Sequence, residues 1–273
     1  MTLAELKAID GMRIHSISDL DNIIPNIQFR IFEGYMENYR GHGLRDYKLI
    51  PGLCRYDIEF KKLREIEKEL YTNFINGVDK KELDAVRVPF TIEPYGDIRN
   101  YWYLLFQAQH LGLKTRLMDW SISWQTALLF AVEDEKHHGK DGSFWIYLCQ
   151  DANLLNHGAG QAMEKIYPLD FDQNYMINSP IYLFDDVFDI VGEKRMGNQH
   201  GKFWIQSLEK SQIPLNEQQE FSPYLAEIIV DGDSKSKIKE ELMEIGFNIK
   251  QLYYRDDEKI DKAIKQINGL LAV

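Results

Sequence analysis

The sequence predicts an α+β fold, a sheet flanked by helices, and three observations carry that expectation. Apolar residues recur every three or four positions through 60–74, as on one buried helix face. Residues 144–149 form a continuous apolar run and residues 35–42 alternate, both of which are strand signals. No internal repeat and no Gly-, Ser- or Pro-rich linker divides the 273 residues, so they suit one large domain or a domain with an appendage. With 44% hydrophobic and 12% aromatic residues, the chain has the material for a core, and global disorder is excluded.

The elements follow in order. The start, MTLAELKAID, reads as a short amphipathic helix, and Ser16 with Asp19 three residues later marks a second helix start that Pro25 interrupts. Tyr35 to His42 is a strand ending at Gly41 and Gly43. Asp57 then caps a long helix whose Phe60, Leu63, Ile66, Leu70 and Phe74 share a face, with Gly77 after it. Residues 78–96, with Pro89, Pro94 and Gly96, read as a connection, and a helix from about Ile98 stops at Gly112. Its Trp102, Phe106, Gln109 and His110 lie on one side. Ser123 caps WQTALLFAVEDEK, a helix that starts buried and emerges at His137. After the Asp141-Gly142 turn comes the strand FWIYLC. Residues 151–191 are expected to be irregular apart from a short helix at Ala152 to Asn156. GKFWIQ and YLAEIIV are strands, Ser234 caps KSKIKEELMEIG, Phe247 to Tyr253 is extended, and DDEKIDKAIKQI is a terminal helix.

Charge and cysteine usage narrow the function classes. A net charge of −11 and a pI near 5.2 disfavour broad non-specific docking to DNA or anionic lipid, though a local basic patch stays open. Cys54 and Cys149 lie in unrelated contexts that suit neither a disulfide framework nor a thiolate zinc site, which points to a reducing cytosol. No apolar stretch approaches the roughly 18 residues of a membrane span, and no signal-peptide pattern opens the chain, so a cytoplasmic protein with no membrane partner is expected.

Three islands carry polar residues that packing alone would not select. The first is Tyr39-Arg40-Gly41-His42, where the glycine permits close backbone approach to a ligand and Arg40 presents a bidentate fork to phosphate or carboxylate. The alternative is an Arg40 paired with a structural acid. The second runs QAQHLGLKTRLMDW, in which alternation sets Thr115, Leu117 and Asp119 together. Arg116 and Asp119 either satisfy each other or nearby backbone, or else His110, Thr115 and Asp119 line a cleft at the next helix N-terminus. The third is RMGNQHGKF, in which two glycines surround Gln199 and His200. Glu133, His137 and His138 have metal-like spacing without HExxH, and read as a solvated helix end; no metal is expected. The absence of GxGxxG, GK[ST] and GxSxG disfavours dinucleotide-fold, nucleotide-hydrolase and α/β-hydrolase readings.

Taken in order, YRGHGLRDYKLIPGLCR, AQHLGLKTRLMDWSISWQTALLFAVE, DGSFWIYLC and RMGNQHGKFWI resemble the FRG domain family, named for a Phe-Arg-Gly motif that here reads Tyr39-Arg40-Gly41. The resemblance implies a bacterial or phage-borne cytoplasmic protein near mobile elements or defence genes. It sets an N-terminal helical segment at 1–34, the FRG domain at 35–255 and a terminal helix packed on it at 256–273.

The order of elements further resembles ADP-ribosyltransferases, which implies a mixed, mainly antiparallel split sheet flanked by helices and NAD as cofactor. On that resemblance Arg40, Thr115, Asp119 and Gln199 form the catalytic set. Gly41, His42, His110, Arg116, Trp120 and Ser121 join Arg40 in holding the cofactor, and Tyr101, Trp102 or Trp120 stacks on its ring. The late motif Gln199-His200-Gly201 lacks the Glu common in such enzymes, and Glu193 stands a few residues earlier. Three activities are weighed: an NAD-using effector (a toxin or antiphage protein) that modifies a protein or nucleic-acid target, a non-catalytic module sensing a nucleotide or phage component, and a hydrolase or nuclease built on His110 and Asp119.

Overall fold

The alternating and apolar runs of the sequence become strands of one sheet because each buries at least one face. The computed structural model describes residues 3–24, 35–77, 98–150, 169, 182–184, 201–248 and 258–272. Among them seven strands, β1 (Arg13–Ile14), β2 (Tyr35–His42), β3 (Met118–Ser121), β4 (Gly142–Gln150), β5 (Tyr182–Phe184), β6 (Gly201–Ile205) and β7 (Leu225–Val230), form a sheet of order β1-β7-β4-β2-β3-β6-β5. Only β1 and β7 run parallel, so the sheet is mixed and mainly antiparallel, and the fold is α+β.

The helices are α1 (Leu3–Ile9), α2 (Phe60–Gly77), α3 (Ile98–His110), α4 (Trp124–Val132), α5 (Leu208–Ser211), α6 (Lys235–Glu244) and α7 (Glu258–Asn268). One face of β2, β4 and β7, with Tyr39, Phe144, Ile146 and Ile228, packs against α4, and Leu6 of α1 and Ile238 and Leu242 of α6 join this core. Its opposite face carries Trp145, Tyr147 and Leu225, which join Trp120, Trp204 and Phe221 in an aromatic cluster. Helices α2, α3 and α7 gather around a third core that reaches Phe203 and Ile205 of β6. No described helix is long and apolar enough to cross a membrane.

Several boundaries differ from expectation for local reasons. α2 begins at Phe60, and Glu59 rather than Asp57 receives the first amides, from Lys62 at 3.4 Å and Leu63 at 2.9 Å. The helix capped by Ser123 stops at Val132, because the Asp134 side chain takes the Lys136 amide and starts a separate 3₁₀ turn, Glu135–His137. Ser234 stands at the N-cap of α6, yet its hydroxyl donates to Asp231 at 2.8 Å instead of capping the helix. β5 lies in a region expected to be irregular, and β1 is too short to give a periodic signal. Phe247 and Asn248 belong to no strand; the Phe247 N–H instead closes α6 by donating a hydrogen bond to Leu242 O at 2.8 Å. The connection 78–96, the short helix at 152–156 and the rest of 249–253 lie outside the described residues.

Candidate functional site

β2 and β3 meet at one residue pair, Tyr39↔Ser121. Continuing that antiparallel register would set Arg40 against Trp120, Gly41 against Asp119 and His42 against Met118, but the strands part and no such pairs form. A pocket of about 330 Å³ sits at the parting, with Arg40, His42, Asp119 and Trp120 in its wall. Helix α4 closes one side with Thr126, Ala127 and Phe130; Gln109 and His110 at the end of α3, and Gly201, Lys202 and Phe203 of β6, close others. Tyr47 and Arg55 complete the lining.

Arg40 bridges the parting. Its Nη1 donates to the carbonyl oxygen of Asp119, which the interrupted ladder leaves open, and its Nε donates to His42 Nε2 at 3.1 Å. Burial pushes the guanidinium pKa down to about 10; Asp119 opposes this and Arg55 adds to it, so the group stays charged at neutral pH. Burial above all, then the charges of Arg40 and Arg55, hold His42 well below its ordinary value, partly offset by the Tyr47 backbone. His42 is therefore neutral at pH 7. Because Arg40 Nε can only donate, His42 Nε2 is the acceptor and the proton sits on Nδ1.

Asp119 is the one carboxylate among the pocket's described lining residues, against the cations Arg40, Arg55 and Lys202. Its Oδ2 accepts from Gln109 Nε2 at 2.8 Å, and Gln109 Oε1 in turn accepts from Thr115 at 2.6 Å. Thr115 thus stands one step behind the pocket as a positioning residue for Gln109. The strand begins at Met118, so alternation does not carry back to Thr115; Gln109 makes the link instead. Trp120, stacked on Trp204 with centroids 4.4 Å apart, has an indole Nε1 with no hydrogen-bond partner among the described residues. The same is true of Thr126 Oγ1, and both residues are buried. Unpaired donors of this kind in a pocket wall call for a ligand acceptor.

The structure sorts the sequence candidates. It brings Arg40, Gly41, His42, His110, Asp119, Trp120 and Ser121 to one pocket. It does not bring Arg116, which is 1% exposed and forms a two-point ion pair with Glu67 of α2; that acid, and not Asp119, is its partner. Trp102 is core, packed on Phe106, and neither it nor Tyr101 lines the pocket. Gly41 serves packing first: a Cβ there would stand 1.8 Å from the Ala127 carbonyl oxygen, so the glycine lets α4 lie directly on β2. His137 and His138 are engaged elsewhere, His137 with the Tyr47 hydroxyl at 3.4 Å and His138 with Val132 O at 2.9 Å. Gln199, His200 and Glu193 lie outside the described residues, although β6 begins at Gly201 and lines the pocket. Sequence reasoning missed Arg55, Lys202, Gln109 and Tyr47 as lining groups. Arg55 closes the YRGHGLRDYKLIPGLCR motif, so its place in that motif was the available signal.

Residues 37–140, which carry Arg40, Arg55, Gln109 and Asp119, match the model of the FRG domain. The chain carries an FRG domain. The match begins at Glu37 and ends before β4, so β3, α4 and β2 from Glu37 onward fall within the FRG domain while β6 stands beyond it. No curated protein and no solved structure matches the chain.

Proposed function

We propose that the FRG-domain pocket binds a nucleotide, NAD foremost, and that the chain is an ADP-ribosyltransferase-like effector acting as a toxin or in antiphage defence. The observation that carries the reading is the convergence, at a parting of the sheet, of the Arg40 guanidinium, the Asp119 carboxylate and the Trp120 indole. A guanidinium already charged and oriented suits a ligand phosphate, and aromatic walls suit a base or nicotinamide. An acidic chain with a cationic pocket favours a small anion over a polyanion.

On this reading the bond from ribose C1′ to nicotinamide breaks and a target nucleophile bonds to C1′. Asp119 faces the positive charge that develops on the ribose, and Gln109 keeps its carboxylate in place. The variant Asp119→Asn keeps the backbone carbonyl that Arg40 uses, so it tests charge without opening the parting. Nicotinamide release from NAD, or labelling of a target, is expected from the purified chain and should fall by about 10²-fold in Asp119→Asn and in Arg40→Ala. Equal signal in wild type and both variants overturns the transferase.

A second reading is favoured by one observation: Arg40 and Asp119 are both already engaged by protein groups, as in a preformed binding site. In a sensing module NAD or another nucleotide would raise the melting temperature without being consumed.

A further inference from the structure

Arg55 stands exposed at the pocket. It ends the 3₁₀ turn Gly52–Arg55, which is anchored by Leu53 N donating to Thr115 O at 3.0 Å. The stem of Lys114 runs beside the same turn, within 3.3 Å of where a Cβ at Gly52 would lie. The guanidinium itself is exposed and lies 5.9 Å over the Tyr47 ring. It has no carboxylate partner among the described residues. Its charge nevertheless reaches inward, disfavouring the charged forms of Arg40, His42 and Lys114. Asp119 alone is seen to oppose it, at Arg40 and Lys114. The anchored turn thus keeps the Arg55 charge beside that of Arg40 at one pocket, an arrangement that an anion relieves.

We propose that Arg55 is a second phosphate-binding group of this pocket, so that its ligand carries two linked phosphates, one held by Arg40 and one by Arg55 at the rim. This deepens the nucleotide reading, on which it rests, by naming a diphosphate-bridged ligand class and the residue that selects it. Tyr47 supports Arg55 from below, and the planar fork of the guanidinium matches a phosphate edge.

Calorimetric titration of the whole chain with inorganic pyrophosphate, ADP-ribose, AMP and inorganic phosphate tests it. The two diphosphates should bind more tightly than the two monophosphates. Arg55→Ala, an exposed change expected to leave the melting temperature unaltered, should weaken pyrophosphate and ADP-ribose about tenfold and leave AMP unchanged. The proposal falls if none of the four probes binds, if pyrophosphate shows no advantage over phosphate, or if Arg55→Ala retains that advantage. The two readings fail separately. A diphosphate preference lost in Arg55→Ala, with NAD left intact by the wild type, removes the transferase and keeps the phosphate site. NAD turnover with an unaltered Arg55→Ala binding profile does the reverse.

Discussion

At the scale of single residues, the Tyr39-Arg40-Gly41-His42 run divides its labour in a way that side-chain chemistry explains. Tyr39 is fully buried and stacks on Phe144 at 5.7 Å, Gly41 lets a helix touch the strand, and His42 accepts from Arg40. Only Arg40 turns a charge toward the pocket from this run. Gly41→Ala would force a methyl into the Ala127 carbonyl and within 2.8 Å of the Ala131 amide, both backbone atoms that cannot rotate away. Relief requires moving α4, so the expected loss in stability is about 3 kcal/mol or more, at the upper end of overpacking costs, and chemical denaturation would measure it. A loss below about 1 kcal/mol would mean that α4 shifts freely on β2. The helix and pocket wall share Ala127, so ligand affinity should fall with stability.

At the scale of elements, the TRLMDW segment is held from three sides. Arg116 reaches back to Glu67 on α2, Thr115 O receives the 3₁₀ turn that carries Arg55, and β3 pairs along its whole length with β6. The Arg116–Glu67 pair is buried at both ends, so its value lies in position more than in net energy. Removing one partner breaks a buried, charge-assisted pair in the core: Glu67→Leu or Arg116→Met alone should cost about 3–5 kcal/mol. The double replacement Glu67→Leu with Arg116→Met should recover much of that loss. A double-mutant cycle by urea unfolding checks both statements, and additive losses would show that the pair is not coupled. Since the same segment sets Asp119 and the Arg55 turn, the single variants should also weaken ligand binding without touching a ligand.

At the scale of the whole molecule, titrating groups pull in opposite directions. Arg13 holds the Asp141 carboxylate below its ordinary value, and the Ser234 hydroxyl, aided by Arg13, does the same for Asp231, so this stability is present above about pH 4 and lost as pH falls through the folded values. His42, also depressed, costs stability as pH falls below about 6.5, because the unfolded chain then binds a proton that the folded one refuses. Glu37 acts the other way. Burial raises its pKa to about 7 against a hydrogen bond from Tyr39, so the folded chain retains a proton that the unfolded one releases, and stability falls as pH rises from 4.5 to 7. Glu37→Gln should therefore raise the melting temperature at pH 8 and flatten its fall between pH 5 and 7; an unchanged profile would show that Glu37 titrates normally.

Much of the fold was legible because helices and strands answer to local periodicity. β2 spans the expected residues, and the buried stripe Leu63, Ile66, Leu70 and Phe74 is the one its spacing announces. β1 and β5 were not legible, since two or three residues cannot display a period and gain their strand geometry from a neighbour already in the sheet. The site was half legible. The islands around Arg40 and Asp119 stand out as polar residues in apolar surroundings, whereas Arg55 and Lys202 look like any surface cation in a charged sequence.

By itself, then, the amino-acid order determined the α+β class, the FRG resemblance and two of the segments that bear the pocket, because those rest on patterns a few residues long. Only the tertiary structure decided that Arg116 belongs to Glu67 and Arg40 to the open carbonyl of Asp119, and that β2 and β3 part to leave a cationic pocket. Those outcomes depend on which side chains the chain path brings together across 49 and 79 positions, a matter of packing and desolvation that no local pattern encodes.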